Sequence, residues 1–267
     1  MSIALVILAA GKGTRMESDL PKVLHPIAQV PMLVHAMRAG AALAPDEVVI
    51  VAGHGADHVT KVAQAENEDA RIVLQTEQLG TAHAVDQARE TLAEFSGDVV
   101  VLYGDTPFVQ PETLGRMIAA RADHDLVVLG FHAADPGRYG RLVTDGNQLQ
   151  RIVEFKDATE AERDITLCNS GLVACDAKTL FELIAAVGDD NAAGEYYLTD
   201  IVALAQERGL SATAVTCDET ETLGVNSRVE LAAADGVFQT RARADLLTLG
   251  VTLMAPDTVY LAQDTVI

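Results

Sequence analysis

The chain has 267 residues, 49% of them hydrophobic, enough to bury the core of one large α/β domain or two small ones. Its formal charge of −20, from 19 lysines and arginines against 39 aspartates and glutamates, opposes the phosphate backbone and argues against nucleic acid as a partner. Cys168, Cys175 and Cys217 are an odd number without a CxxC pair, so neither a disulfide framework nor a zinc site is indicated and a cytoplasmic protein is expected.

The apolar opening Ile3 to Ala10 has no lysine or arginine before it and is too short for a signal peptide, so it reads as a first buried strand. No apolar run approaches the roughly 18 residues needed to cross a bilayer, and no membrane partner is expected. Beyond it, helical period and apolar runs alternate. A helix is predicted over Met32–Leu43, a strand over Val48–Ala52, a helix over His54–Gln64, a strand over Ile72–Gln75, a helix over Ala82–Ala93 and a strand over Val99–Tyr103. This is βαβ winding with a mostly parallel sheet, and continuous runs such as "DVVVLYGD" suit strands covered on both faces.

After about Asp125 the pattern changes. "DLVVLGFHA", "GRLVTD", "LQRIVEFKD" and "TLCNSGLVAC" read as strands of an antiparallel or mixed sheet beside the first half. Helices return at Ala177–Val187, Tyr197–Arg208 and Arg228–Leu249. In the tail "VTLMAPDTVYLAQDTVI", the triplet "DTV" occurs at Asp257 and Asp264 as short β-like steps, two of which cannot bury a core by themselves.

The stretch "ILAAGKGTRM" (7–16) turns out of the first strand with Gly11, Lys12, Gly13 and Arg15. Backbone NH groups in such a turn suit an anion, and glycine lets the chain approach it. It is not a dinucleotide fingerprint, because Met16 stands where the third glycine belongs, and it is not a P-loop. Taken alone it fits a tight turn with solvated charges better than an anion site. Gln75 and Asp105 end two further strands of the same winding, and open α/β sheets bind ligands outside the carboxyl ends of their strands. The glycine turn, Gln75 and Asp105 therefore belong on one rim.

"LAAGKGTRM" followed by "SDLPKVLHPIAQVPML" resembles the signature of the sugar-1-phosphate nucleotidyltransferases. "QTEQLGTAHA", "YGDTP", "YGRLV", "IVEFKDAT", "CNSG", "GEYYLTD" and "GVNSR" follow in order over nearly the whole chain. They narrow the resemblance to the uridyltransferase half of the bifunctional bacterial enzymes that also carry an acetyltransferase. The resemblance implies a Rossmann-like α/β fold of the nucleotide-diphospho-sugar transferase type with a mixed, mostly parallel sheet. It divides the chain into a nucleotidyltransferase domain (1–227), a linker helix (228–249) and the stub of a left-handed β-helix (250–267). The implied reaction joins UTP and N-acetylglucosamine 1-phosphate to give UDP-N-acetylglucosamine and pyrophosphate, with Mg2+ as cofactor.

The resemblance also implies site residues. Leu8, Ala9, Ala10, Gly11, Gly13, Thr14, Gln75, Gly80 and Thr81 would bind the nucleotide, Gln75 and Gly80 reading uracil; Arg15, Lys22 and Asp105 would be catalytic. Tyr103, Gly104, Gly140, Glu154, Asn169 and Thr199 would bind the sugar, with Tyr197 lining that side, and Asp105 and Asn226 would hold the metal. From the residues alone, Thr81 is equally a helix cap and Glu154 equally a solvent-facing glutamate of an ordinary strand. His25, His35, His54 and His83 are read as structural or solvated. Full-length members of the resembled group are homotrimers through the β-helix; for this chain, stopping at Ile267, a monomer without the acetyl-CoA site is expected. Three other functions compete: a related transferase for another sugar or nucleotide, a non-catalytic nucleotide-sugar-binding subunit, and, less favoured, a dehydrogenase.

Overall fold

The stretch IALVILA forms β1 (Ile3–Ala9), buried along its whole length between a sheet neighbour on each side and helices on each face. The computed structural model describes residues 2–267. A small hairpin of β2 (Pro26–Ile27) and β3 (Val30–Pro31) leads into α1 (Met32–Ala41). Then β4 (Glu47–Ala52), α2 (Ala56–Glu66), β5 (Arg71–Leu74), α3 (Thr81–Asp86), β6 (Asp98–Tyr103) and α4 (Pro111–Ala120) complete the wound half. The second half is β7 (Leu126–His132), β8 (Arg141–Asp145), β9 (Gln148–Val153), α5 (Glu160–Arg163), β10 (Leu167–Asp176), α6 (Ala177–Ile184), α7 (Ile201–Glu207), β11 (Ala212–Cys217) and α8 (Arg228–Thr248).

The strands form one nine-stranded sheet, in the order β11-β7-β10-β6-β1-β4-β5, with β8 on β10 and β9 on β8. The segment after Asp125 is thus continuous with the first half rather than a sheet beside it. It becomes mixed because β10 runs antiparallel to both β6 and β7, whereas β11 pairs parallel with β7. Alternation along β1 divides the core. Ala4, Val6 and Leu8 face the layer containing Val85, Leu180 and Val202, and Leu5, Ile7 and Ala9 face the layer containing Leu33, Val59 and Leu114.

Register decides where a site can lie. Leu8 pairs with Tyr103, Ala9 with Ala52 and Ala52 with Leu74, so β5, β4, β1 and β6 end together and their following loops share one rim. Several predicted helices come out shorter, α3 and α7 the most. α3 stops at Asp86, where hydrogen-bonded turns take over, with the Gln87 amide returned to the His83 carbonyl at 2.9 Å. α7 starts at Ile201, after a 3-10 turn over Leu198–Asp200.

The long α8 buries only Ala234 and Gln239, and the chain after it folds back along it. Gln239 receives Leu261 NH and donates to Leu261 CO, both at 2.8 Å, while Gln263 NH reaches Ala28 CO at 2.9 Å. Residues 250–267 contain no strand; the two predicted β-like steps come out as a 3-10 turn over Pro256–Thr258 and as turns and irregular chain. Among the described residues no helix is long and apolar enough to cross a membrane.

Candidate active site

Asp105 lies two residues beyond β6, where Val225 NH donates to its carbonyl at 3.0 Å. That backbone bond brings Asn226, at the far end of the sequence, to the rim. The Lys22 Nζ sits between them, donating to Asp105 Oδ2 and, at 2.9 Å, to Asn226 Oδ1. Two hard oxygens from distant segments therefore converge on one cationic atom. Asn226 is itself held by its NH on Glu230 Oε2 at 2.6 Å, in the first turn of α8.

The glycine turn packs over this trio. Gly13 has φ 60°, and a Cβ there would lie 2.6 Å from Lys22 Cβ, so both backbone conformation and space demand glycine. At Gly11 a Cβ would meet nothing closer than 4.0 Å. Gly11, Lys12, Thr14 and Arg15 are exposed at the mouth, while Met16 is fully buried beneath them.

A cavity of about 250 Å³ opens beside Lys22 and Asp105 and is also lined by Leu8, Ala10, Gly11, Gln75, Gly80, Thr81 and Tyr103. Gln75 is buried, its NH on Ala52 CO at 2.8 Å, and its Nε2 is engaged by Gly80 CO and His83 Nδ1, each at 3.1 Å. The Gly80 position needs glycine because Tyr196 backbone fills the space: a Cβ would lie 2.4 Å from its carbonyl oxygen. Thr81 is not a helix cap. Its hydroxyl accepts from Leu198 NH at 2.9 Å, tying α3 to the turn before α7.

Tyr103 connects this cavity to a second cluster. Burial, then the charges of Asp105 and Glu154, push the Tyr103 pKa up, so the phenol stays protonated. Gly104 anchors the start of the loop with its NH on Leu8 CO at 3.0 Å. Further along, Asn169 NH donates to Gly140 CO at 2.9 Å, and Glu154 Oε1 accepts from Thr199 Oγ1 at 3.3 Å. A Cβ on Gly140 would approach Glu154 Oε1 to 3.4 Å and Asn169 Cβ to 3.5 Å, so these residues form one group. The register shift of β10 between Asn169 and Val173 helps set this group apart from the regular ladder. Burial raises the pKa of Glu154, with the Thr199 hydrogen bond opposing it and Asp200 and Asp157 adding to it.

Three comparisons bear on this geometry. The family model described as MobA-like NTP transferase domain matches residues 5–194. The chain belongs to the MobA-like NTP transferase family. Proteins named bifunctional protein GlmU are similar along the whole of this NTP transferase chain. That of Ruegeria pomeroyi is 73% identical over 267 residues, covering 100% of this chain and 59% of the relative. That of Cereibacter sphaeroides ATCC 17025 is 63% identical over 264 residues, with 99% and 58% covered. That of Paracoccus denitrificans is 57% identical over 265 residues, with 99% and 59% covered. The chain thus spans about three fifths of the length of these relatives. In fold, a solved UDP-glucose pyrophosphorylase complexed with UDP-glucose matches with a TM-score of 0.73 at 17% identity, covering 90% of this chain and all of that one.

Within the NTP transferase rim, several contributors escaped the sequence reading. Gln78, Val23 and Glu195 line the cavity. Tyr196 backbone dictates Gly80, and His83 Nδ1 steadies Gln75 from across the loop between β5 and α3. Among the described residues no three His, Cys, Asp or Glu side chains cluster as a metal site. The candidate metal pair is one carboxylate and one amide. A larger cavity of about 470 Å³ lies under α8 against Phe108 and Phe238 and contains none of the predicted site residues.

Proposed function

We propose that this domain transfers UMP from UTP to N-acetylglucosamine 1-phosphate, releasing pyrophosphate. The observation that carries the reading is the convergence of Lys22, Asp105 and Asn226 beneath the glycine turn, beside a cavity lined by Gln75, Gly80 and Tyr103. The 73% identity to a protein named bifunctional GlmU supports the choice of nucleotide and sugar.

The sugar phosphate is a dianion at neutral pH, so no protein base is needed to create the nucleophile. One of its oxygens bonds to the α-phosphorus as the bond to the bridging oxygen of the β-phosphate breaks, and pyrophosphate departs with that electron pair. The protein's task is then alignment and charge compensation. Gly13, Thr14 and Arg15 hold the β,γ-phosphates, Lys22 supports the α-phosphate, and the cavity lined by Gln75, Gly80 and Thr81 takes the nucleoside against Leu8 to Gly11. Tyr103, Gly104, Gly140, Glu154, Asn169 and Thr199 take the sugar, the carboxylate and amide facing hydroxyl or acetamido groups.

Mg2+ fits the donor set. Two oxygens that share one ammonium are close enough to share one cation, and magnesium uses few protein ligands, completing its shell with phosphate and water oxygens. Asp105 and Asn226 would hold it, and when bound it would neutralise charge at the α-phosphate. Residues 250–267 read as the opening of a β-helix, supported by the exposure there of Met254, Tyr260, Val266 and Ile267.

The test is a pyrophosphate-release assay with four nucleoside triphosphates against several hexose 1-phosphates, with and without Mg2+. Turnover is expected with UTP and N-acetylglucosamine 1-phosphate and only with the metal. Preference for a sugar lacking the acetamido group, or for another base, would replace the substrate assignment; nucleotide-sugar binding without turnover would replace the enzyme by a sensor.

A further inference from the structure

Arg228 closes the "GVNSR" stretch and stands first in α8, two residues after Asn226. Its guanidinium Nε donates to Met16 CO at 3.0 Å, at the far end of the glycine turn, and its Nη1 reaches His25 Nδ1 at 3.5 Å. His25 ends the short turn that begins at Lys22, its NH on Lys22 CO at 3.2 Å. One solvent-exposed residue therefore joins the three segments that carry Arg15, Lys22 and Asn226.

The end of the glycine turn is fixed by the buried Met16 side chain, and the Arg228 bond is the one that ties its backbone to α8. Met16 NH bonds back to Gly13 CO at 2.8 Å, within the turn itself, and Glu17 follows with φ 47°, a left-handed conformation that non-glycine residues resist. Thr14 and Arg15 are exposed between Gly13, wedged against Lys22, and buried Met16. His25 is buried, and burial followed by the nearby Arg228 charge lowers its pKa, keeping the ring neutral beside the guanidinium. An arginine suits this junction because its planar fork can serve two acceptors at once, which a lysine ammonium on a flexible stem does less well.

We propose that Arg228 is a positioning residue for the triphosphate: by locking Met16 to the Asn226 segment, it holds the glycine turn where it can grip the β,γ-phosphates. The inference rests on the reading of that turn as the phosphate grip. It specifies an effect confined to the part of the nucleotide beyond the α-phosphate, since no contact of Arg228 involves the cavity around Gln75.

The experiment compares binding of UTP and UMP by calorimetry in the presence of Mg2+, for the unaltered protein, Arg228→Met and Arg228→Lys. Losing one charged hydrogen bond that orders a loop is expected to weaken UTP about tenfold or more in Arg228→Met, with UMP within about twofold. Arg228→Lys, which can reach Met16 or His25 but not both, is expected to recover part of the loss, and it stands in should the methionine variant fail to fold. An unchanged UTP-to-UMP ratio in both variants, whether through equal losses or none, overturns the proposal. If the unaltered protein itself binds UMP as well as UTP, the phosphate-grip reading fails and the proposal falls with it; a preference kept by the variants sinks the proposal alone.

Discussion

Strand β6 has an aspartate at its start and another just past its end, each facing one cation, and the two pairs do different things. Asp98 Oδ1 accepts from Arg121 Nε at 3.1 Å and Nη2 at 2.8 Å, with side chains 2% and 8% exposed, and Arg121 is further held by the His124 carbonyl. Asp105 faces Lys22 at 16% and 13% exposure, beside an open cavity, and shares its cation with Asn226. The amino-terminal end is covered: Asp98 NH is bound by Ser2 CO at 3.0 Å, and Ser2 backbone occupies the space beside Gly97. The carboxyl-terminal end opens into loops, as expected of a ligand-binding rim. Similar charge chemistry serves cohesion where the pair is shut away from solvent, even with Asp98 Oδ2 left without a hydrogen-bond partner, and under the proposed function it serves binding where one partner can be exchanged for a ligand.

Removing each carboxylate is the sharpest way to break this comparison. Asp105→Ala is expected to lower pyrophosphate release at least about a hundredfold, in the range seen when a pre-organised electrostatic group is lost, with the melting temperature unchanged or slightly raised. Asp98→Ala leaves Arg121 buried without its carboxylate and should cost about 3–5 kcal/mol in urea unfolding, with turnover per folded molecule retained at low temperature. If Asp105→Ala unfolded the protein while Asp98→Ala abolished turnover in a folded one, the division between the two ends would be wrong.

Two glycines extend the comparison at smaller scale. Gly13→Ala forces a Cβ to 2.6 Å from Lys22 Cβ at positive φ, so either the turn or the lysine must move, and KM for UTP should rise about tenfold with little change in Tm. Gly115 lies within α4 with nothing within 4 Å of the added Cβ. Gly115→Ala should stabilise by up to about 1 kcal/mol in thermal melts and leave KM alone.

How much of this was legible in the sequence depends on the range of the interaction. β1 was legible because its apolar run is local and uninterrupted. The rim of Gly11, Gln75 and Asp105 followed from winding alone. What was not legible is the set of long-range backbone contacts: Val225 on Asp105, Leu198 on Thr81, Tyr196 against Gly80, and Arg228 on Met16. Thr81 looked equally like a cap, and nothing local announces that its hydroxyl and the space beside Gly80 meet residues more than a hundred positions away. The mixed sheet shows the same limit. Strand periodicity identified β10, but its antiparallel insertion between β6 and β7 is a property of the whole topology.

The smallest expected effect tests whether the sugar-side group also trades cohesion for binding. Glu154 is held with its pKa above the ordinary 4.5, first by burial and then by Asp200 and Asp157, against a single hydrogen bond from Thr199 at 3.3 Å. A carboxyl whose pKa is raised by folding favours the folded state while protonated, and that contribution is lost as pH rises from 4.5 through the raised value. Glu154→Gln keeps the shape and an acceptor for Thr199 but removes the charge. The variant should therefore match the unaltered protein in melting temperature at the acidic end of that window, become the more stable of the two as pH rises through it, and hold a constant advantage above it. Over the same pH range KM for N-acetylglucosamine 1-phosphate should rise several-fold, because the amide is a weaker acceptor for a sugar hydroxyl than the carboxylate. A melting difference that is flat with pH would mean that the carboxylate is already compensated in the free protein, and that the acidic group around Glu154 carries no stored cost for sugar binding to relieve.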